Sequence, residues 1–128
     1  MSDPGAFVYV VDDDASVREG VTCLIRSAGL MAKTFASAEE FLDSNHISKA
    51  DCLILDVRLP GMSGFELHHR LIAGGIEVPV IFITAHGYDD RARSEAASDW
   101  TVAQLTKPFS EDELLDAVQA ALKRKTGA

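Results

Sequence analysis

The residues best equipped for chemistry stand where four apolar, β-prone runs end. Asp12, Asp13 and Asp14 follow Val11; Asp56 follows Leu55; Thr84 closes the run from Val78; Lys107 and Pro108 follow the run from Val102 to Thr106. If these ends converge, Asp12, Asp13 and Asp56 crowd together beside one hydroxyl and one ammonium. Carboxylates so crowded raise one another's pKa unless something positive joins them. A hard divalent cation meets that need: Mg²⁺ takes carboxylate, carbonyl and water oxygens, keeps several waters and binds together with phosphate groups, and Mn²⁺ accepts the same donors. Set against Lys107, the three carboxylates leave about two negative charges, which one such ion neutralises. Asp56 can then act as a carboxylate nucleophile toward a phosphoryl group, giving an acyl phosphate, with the cation and Lys107 offsetting charge on the non-bridging oxygens. Thr84, small and hydroxylated, is suited to donate a hydrogen bond to the new group.

Strand ends converge in this way only in a parallel sheet. The runs Phe7 to Val11, Cys52 to Leu55 and Val78 to Thr84 are continuously apolar, as expected of strands covered on both faces. Met31 to Phe35 and Val102 to Thr106 are more mixed and suit positions nearer the sheet edges. Between the runs the period changes to that of a helix. Val17, Val21, Leu24, Ile25 and Ala28 fall on one helical face, with Gly29 as a stop, and Leu114, Leu115, Val118, Ala121 and Leu122 form a second stripe that ends in Lys123, Arg124 and Lys125. Three Ser-x-x-Glu capping boxes, Ser37 with Glu40, Ser63 with Glu66 and Ser110 with Glu113, mark helix starts. A further helix is expected over Tyr88 to Ser98; its apolar face is only Ala92, Ala96 and Ala97, so it should be the least anchored element. Strand and helix thus alternate five times. That implies an α/β doubly wound five-stranded parallel sheet with right-handed crossovers and five helices on its two faces, a three-layer sandwich whose ligands bind beyond the carboxyl ends of the strands.

The chain has 128 residues, enough for one hydrophobic core and too few for two. A single domain is expected, with its core over about residues 6 to 123 and residues 124 to 128 as a tail or the start of a linker. A formal charge of −8 would repel a polyanion, so nucleic acid is not expected as a partner. No apolar run approaches a bilayer span and no leader pattern opens the chain, which points to a cytoplasmic domain without membrane contact. Cys23 and Cys52 lack metal-ligand spacing and each sits among apolar residues, the setting of buried, reduced thiols.

Taken together, Val11-Asp12-Asp13-Asp14, Leu55-Asp56-Val57-Arg58-Leu59-Pro60-Gly61-Met62-Ser63-Gly64, Ile83-Thr84-Ala85 and Lys107-Pro108-Phe109 resemble the response-regulator receiver domains of two-component signalling, from Val8 to about Leu122. Any one of these motifs is weak; all four in this order and spacing are specific. The resemblance implies the flavodoxin-like strand order 2-1-3-4-5, with Asp56 as phosphoacceptor. It also implies Mg²⁺ held by Asp56, by Asp13 directly, by Asp12 through water and by the backbone carbonyl of Arg58. Lys107 and Thr84 would bind the phosphoryl group, and the Lys107-Pro108 peptide would be cis. The implied partners are a sensor histidine kinase or phosphotransfer protein as donor, and a downstream target or a second copy met through the face of the fourth helix, fifth strand and fifth helix. Such a domain is no enzyme in the usual sense, since it catalyses only its own phosphorylation and dephosphorylation.

The chain departs from that pattern on the output side. Three residues before Lys107, where receivers usually carry Tyr or Phe, stands Gln104; Ser98-Asp99-Trp100-Thr101 replaces a small-residue pair, and the stretch from Thr84 to Lys107 is about one residue longer than usual. These departures suggest retained phosphorylation chemistry with transmission altered through Gln104 or Trp100. His86 and Ala85, just past Thr84, stand where the family tunes access to the phosphoryl group.

Other polar residues have plainer readings. Asp14 suits a helix cap. His68 and His69 point about 100° apart on a helix and cannot share a metal, so both are expected at the surface, and His46 in a loop. Trp100 fits core packing and an exposed contact patch equally. A flavin site would want Gly, Ser and Thr donors where Asp12 to Asp14 stand, and an aspartyl phosphatase would carry a second Asp where Arg58 stands. The alternative that survives is an interaction module that keeps the pocket and signals without phosphate.

Overall fold

The computed structural model describes residues 6–44, 49–84 and 100–126. Five strands, β1 (Phe7–Val11), β2 (Met31–Phe35), β3 (Cys52–Asp56), β4 (Val80–Thr84) and β5 (Thr101–Thr106), alternate with helices α1 (Ala15–Ser27), α2 (Ala38–Asp43), α3 (Gly64–Ala73) and α4 (Glu111–Thr126). The sheet is parallel in the order β2-β1-β3-β4-β5. That is the expected topology, with the two mixed runs at its edges. Four helices lie among the described residues; the one expected over Tyr88 to Ser98 lies outside them, as do His46, Ala85 and His86.

Helix boundaries follow their caps. Asp14 has extended backbone and its side chain accepts from the Ser16 N–H at 2.9 Å, opening α1. Gly29, at φ 83°, takes the left-handed conformation that ends it, the Leu30 N–H returning to the Ile25 carbonyl at 3.2 Å. Ser37 and Ser63 accept from the Glu40 and Glu66 amides, and Ser110 with Glu113 forms the full reciprocal box, both bonds 3.0 Å.

Alternation along the strands sorts the core onto two faces. Tyr9, Leu53, Leu55, Val80 and Phe82 pack with Phe41 of α2 and with Phe65, Leu67 and Leu71 of α3. Val8, Val10, Ile54, Ile81 and Ile83 pack on the other face with Val21 and Ile25 of α1 and Leu114, Val118 and Ala121 of α4. Each large apolar side chain removed from water contributes about 1.5–3 kcal/mol. The continuous strands dominate that sum, because both their faces are covered.

Four expectations need correction. β4 begins at Val80 rather than Val78, since Pro79 has no N–H for the ladder; its carbonyl still accepts from the Leu53 amide at 2.9 Å. β5 starts one residue earlier than expected, at Thr101, and carries an irregularity: Val80 faces Thr101 while Ile81 faces Ala103, so Val102 is the extra residue of a bulge. Cys23 is exposed, because α1 turns Val21 and Ile25 inward and Cys23 away from them, whereas Cys52 is buried and its thiol pKa is pushed up by burial and by Asp51. His68 is buried, not at the surface, since Gly64, Phe65, Leu67, His68 and Leu71 share the inward face of α3. Its ring stands edge-on to Phe82 at 5.5 Å, while His69 stays exposed.

Burial, and next the neighbouring His69, holds the His68 pKa down at about 4. The unfolded chain therefore takes up a proton near pH 6.5 that the folded chain refuses until about pH 4, so stability is complete above that window and falls as the pH drops through it. Urea unfolding at pH 7 and pH 5 should show the wild type losing on the order of 1–2 kcal/mol more than a His68→Leu variant over this interval. Equal losses would contradict the assignment.

Candidate functional site

Three separate segments build one acidic pocket at the carboxyl ends of the strands. Asp12 follows β1 and is fully buried, its amide donating to the Phe35 carbonyl at 3.1 Å and its Oδ1 accepting from the Asp14 amide at 2.9 Å. Asp56 closes β3 at 6% exposure, and its Oδ1 accepts from the Arg58 amide at 2.9 Å. Lys107, just past β5, reaches both: its Nζ lies 3.0 Å from Asp12 Oδ2 and 3.1 Å from Asp56 Oδ2. Asp13 is exposed beside them, and one carboxylate oxygen each from Asp12, Asp13 and Asp56 lies within 4.8 Å of the others.

Burial raises the Asp56 pKa above the ordinary carboxylate value; the Arg58 amide and Lys107 oppose the shift and the Asp12 charge adds to it. For Lys107, burial alone would lower the pKa, but its hydrogen bonds to Asp12 and Asp56 and their charges outweigh burial and raise it. The ammonium thus stays charged, and one cation serves two buried anions while Asp13 contributes a third at the rim. Hard oxygen donors, two of them desolvated and in net negative excess, fit a divalent cation such as Mg²⁺ or Mn²⁺.

The main chain around Asp56 is held as tightly as its side chain. The Val57 amide donates to the Ile83 carbonyl at 2.9 Å and the Gly64 amide to the Val57 carbonyl at 3.1 Å. A side chain at Gly64 would place Cβ 2.3 Å from the Asp56 carbonyl oxygen, so only glycine lets α3 start this close to β3. Glu39 of α2 braces the same loop, its Oε2 accepting from the Met62 amide at 3.0 Å.

Thr84 ends β4 opposite Thr106, and its carbonyl accepts from the Lys107 amide at 2.8 Å. The Lys107–Pro108 peptide is cis. The Arg58 side chain is exposed. Gln104, half-buried, pairs in register with Phe82, one step back from the pocket, and Trp100 lies at the opposite end of β5, its ring covered by the Arg124 guanidinium at 4.8 Å. The structure thus gathers Asp12, Asp13, Asp56 and Lys107 at one point, sets Thr84 on the adjoining strand end, and keeps Gln104 and Trp100 apart from them.

The family model for the response regulator receiver domain matches residues 8–119. This chain belongs to that family. The receiver is 45% identical over 123 residues to the response regulator protein TodT of Pseudomonas putida, a match covering 96% of this chain and 54% of TodT. Among solved structures it resembles the response regulator StyR (TM-score 0.85, 43% identity, 96% of this chain and 62% of that one). It also resembles FixJ-N (TM-score 0.82, 33% identity, 96% of both chains). The receiver spans about half the length of the curated relatives it matches. It is a signalling module of two-component systems rather than a conventional enzyme. No helix among its described residues is long and apolar enough to cross a membrane.

Three further residues support this receiver's pocket: Gly64, which sequence reasoning quotes in a motif without reading its role, and two that it overlooks, Glu39 and Arg18, whose Nη1 donates to the Asp12 carbonyl at 2.7 Å. Gly64 carried a usable signal, a glycine directly after a Ser cap where any good helix former would otherwise serve. Glu39 and Arg18 act on main-chain groups, which leave no trace in residue type. Gly64→Ala should lower stability by about 1–3 kcal/mol through overpacking against the Asp56 carbonyl. Urea midpoints would register it, and an unchanged midpoint would mean that the junction between β3 and α3 tolerates a methyl group.

Proposed function

We propose that this receiver takes a phosphoryl group onto Asp56 from the phosphohistidine of a sensor histidine kinase or phosphotransfer protein. The observation that carries the reading is the pair of buried carboxylates, Asp12 and Asp56, bridged by one ammonium from Lys107 at 3.0 and 3.1 Å. A carboxylate oxygen of Asp56 attacks phosphorus, the P–N bond to the donor imidazole breaks, and the imidazole nitrogen keeps the bonding pair. Asp56 is suited to the role because its Oδ1 is fixed by the Arg58 amide while Oδ2 is held by a group that can turn to an incoming oxygen. Lys107 moves its charge from the two carboxylates to the phosphoryl oxygens, and the Thr84 hydroxyl donates to another of them. Asp12, Asp13, Asp56 and the Arg58 carbonyl would hold Mg²⁺, which when bound neutralises charge on the phosphoryl oxygens.

The whole chain acts as a single receiver unit in the cytoplasm. Its output is a changed affinity for a downstream target or a second copy, through the face of β5 and α4. Gln104 stands where an aromatic ring is usual, so the response runs through the pairing of Gln104 with Phe82 or through Trp100 rather than through a ring swing. That departure favours, as the second reading, an interaction module acting without phosphate.

Intact mass spectrometry after acetyl phosphate and Mg²⁺ should show one added phosphoryl group on the wild type. Asp56→Asn should show none while retaining a folded circular dichroism spectrum. An unchanged wild-type mass beside an active control receiver would favour the phosphate-independent module. Because burial raises the Asp56 pKa and the cation needs the carboxylate, protons compete for the site, and Mg²⁺ affinity measured by calorimetry should fall as the pH is lowered through the acid range. Affinity independent of pH would place the ion elsewhere.

A further inference from the structure

We propose that Arg18 is a positioning residue for the cation-binding turn, a role that rests on the phosphoacceptor reading above. Arg18 is the fourth residue of α1, and its Nη1 donates to the main-chain carbonyl of Asp12 at 2.7 Å, in a half-buried setting. The bond completes the anchoring of Asp12. Its amide is held by Phe35, Oδ1 by the Asp14 amide, Oδ2 by Lys107, and its carbonyl by Arg18. That carbonyl belongs to the peptide joining Asp12 to Asp13, so the guanidinium fixes the plane from which the Asp13 side chain departs. Asp13 is exposed, and its place in the cluster therefore depends on the main chain that carries it.

Charge and position act in opposite directions here, which makes the role separable. A permanent cation next to the site repels a divalent ion, so removing the charge alone would tighten Mg²⁺ binding. Removing the anchor lets the Asp12–Asp13 peptide rotate, which loosens the donor set and weakens binding. Arg18 acts as a positioning residue if the second effect dominates, as is usual for groups that orient the ligands of a metal.

The test is calorimetric titration of Mg²⁺ into the wild type, Arg18→Gln and Arg18→Lys, each first assessed by its urea midpoint. Arg18→Gln should bind about tenfold or more weakly, and Arg18→Lys, which keeps the charge but not the planar fork, should also bind more weakly than the wild type. Equal or tighter binding by folded Arg18→Gln overturns the proposal, as does a lowered urea midpoint with unchanged affinity, which is the mark of a merely structural tie. Should Arg18→Gln fail to fold, Arg18→Lys decides in the same way, with unchanged affinity overturning the role. A wild type that takes up no Mg²⁺ would instead sink the phosphoacceptor reading, and this inference with it.

Discussion

One ammonium between two buried carboxylates is the interaction on which the site depends. Asp12 and Asp56 are almost wholly removed from water, and neither would tolerate ionisation there without compensation. Lys107 supplies it from 95 and 51 residues away along the chain. β5 is two places from β3 in the sheet, about 10 Å at ordinary strand spacing, so a long, flexible stem is needed where a short side chain would fail. The pairing exists only when β1, β3, β4 and β5 are all in register, and it leaves the pocket with a net negative charge.

The rest of the fold holds that geometry with main-chain contacts. Apolar burial on both faces sets the strands side by side. Closer to the pocket, the Val57 and Gly64 amides, the missing side chain at Gly64 and the Glu39 carboxylate hold the loop after β3, while Asp14, Phe35 and Arg18 hold the turn after β1. Most of these contacts place side-chain oxygens through the backbone that bears them; the Asp14 amide alone among them bonds a carboxylate of the pocket directly, at Asp12 Oδ1.

The β5 side of the sheet is built differently. The bulge at Val102 absorbs one residue of β5 before the strand resumes its register. As a result Leu105 joins Ile83 in the core while Gln104 falls beside Phe82, which itself contacts Phe65 and His68. A polar side chain thus borders an aromatic cluster, and Trp100 at the start of the strand is tied to α4 through Arg124.

Residue type and spacing were enough to determine the order of the described strands and helices, the sheet edges, the caps and the acidic residues at the strand ends, because each is a local pattern or follows from alternation between covered elements. They did not reveal which polar side chains the packing would enclose. His68, expected at the surface beside a diverging His69, is carried inward by helical period with Phe65 and Leu71; Cys23, expected inward from its apolar neighbours, is turned out by the same period. Only the tertiary structure decided that Lys107 bridges Asp12 and Asp56, that Gly64 leaves room for a carbonyl and that Arg18 grips the Asp12 peptide, since the first joins atoms far apart in sequence and the other two involve main-chain carbonyls, of which residue identity carries no record.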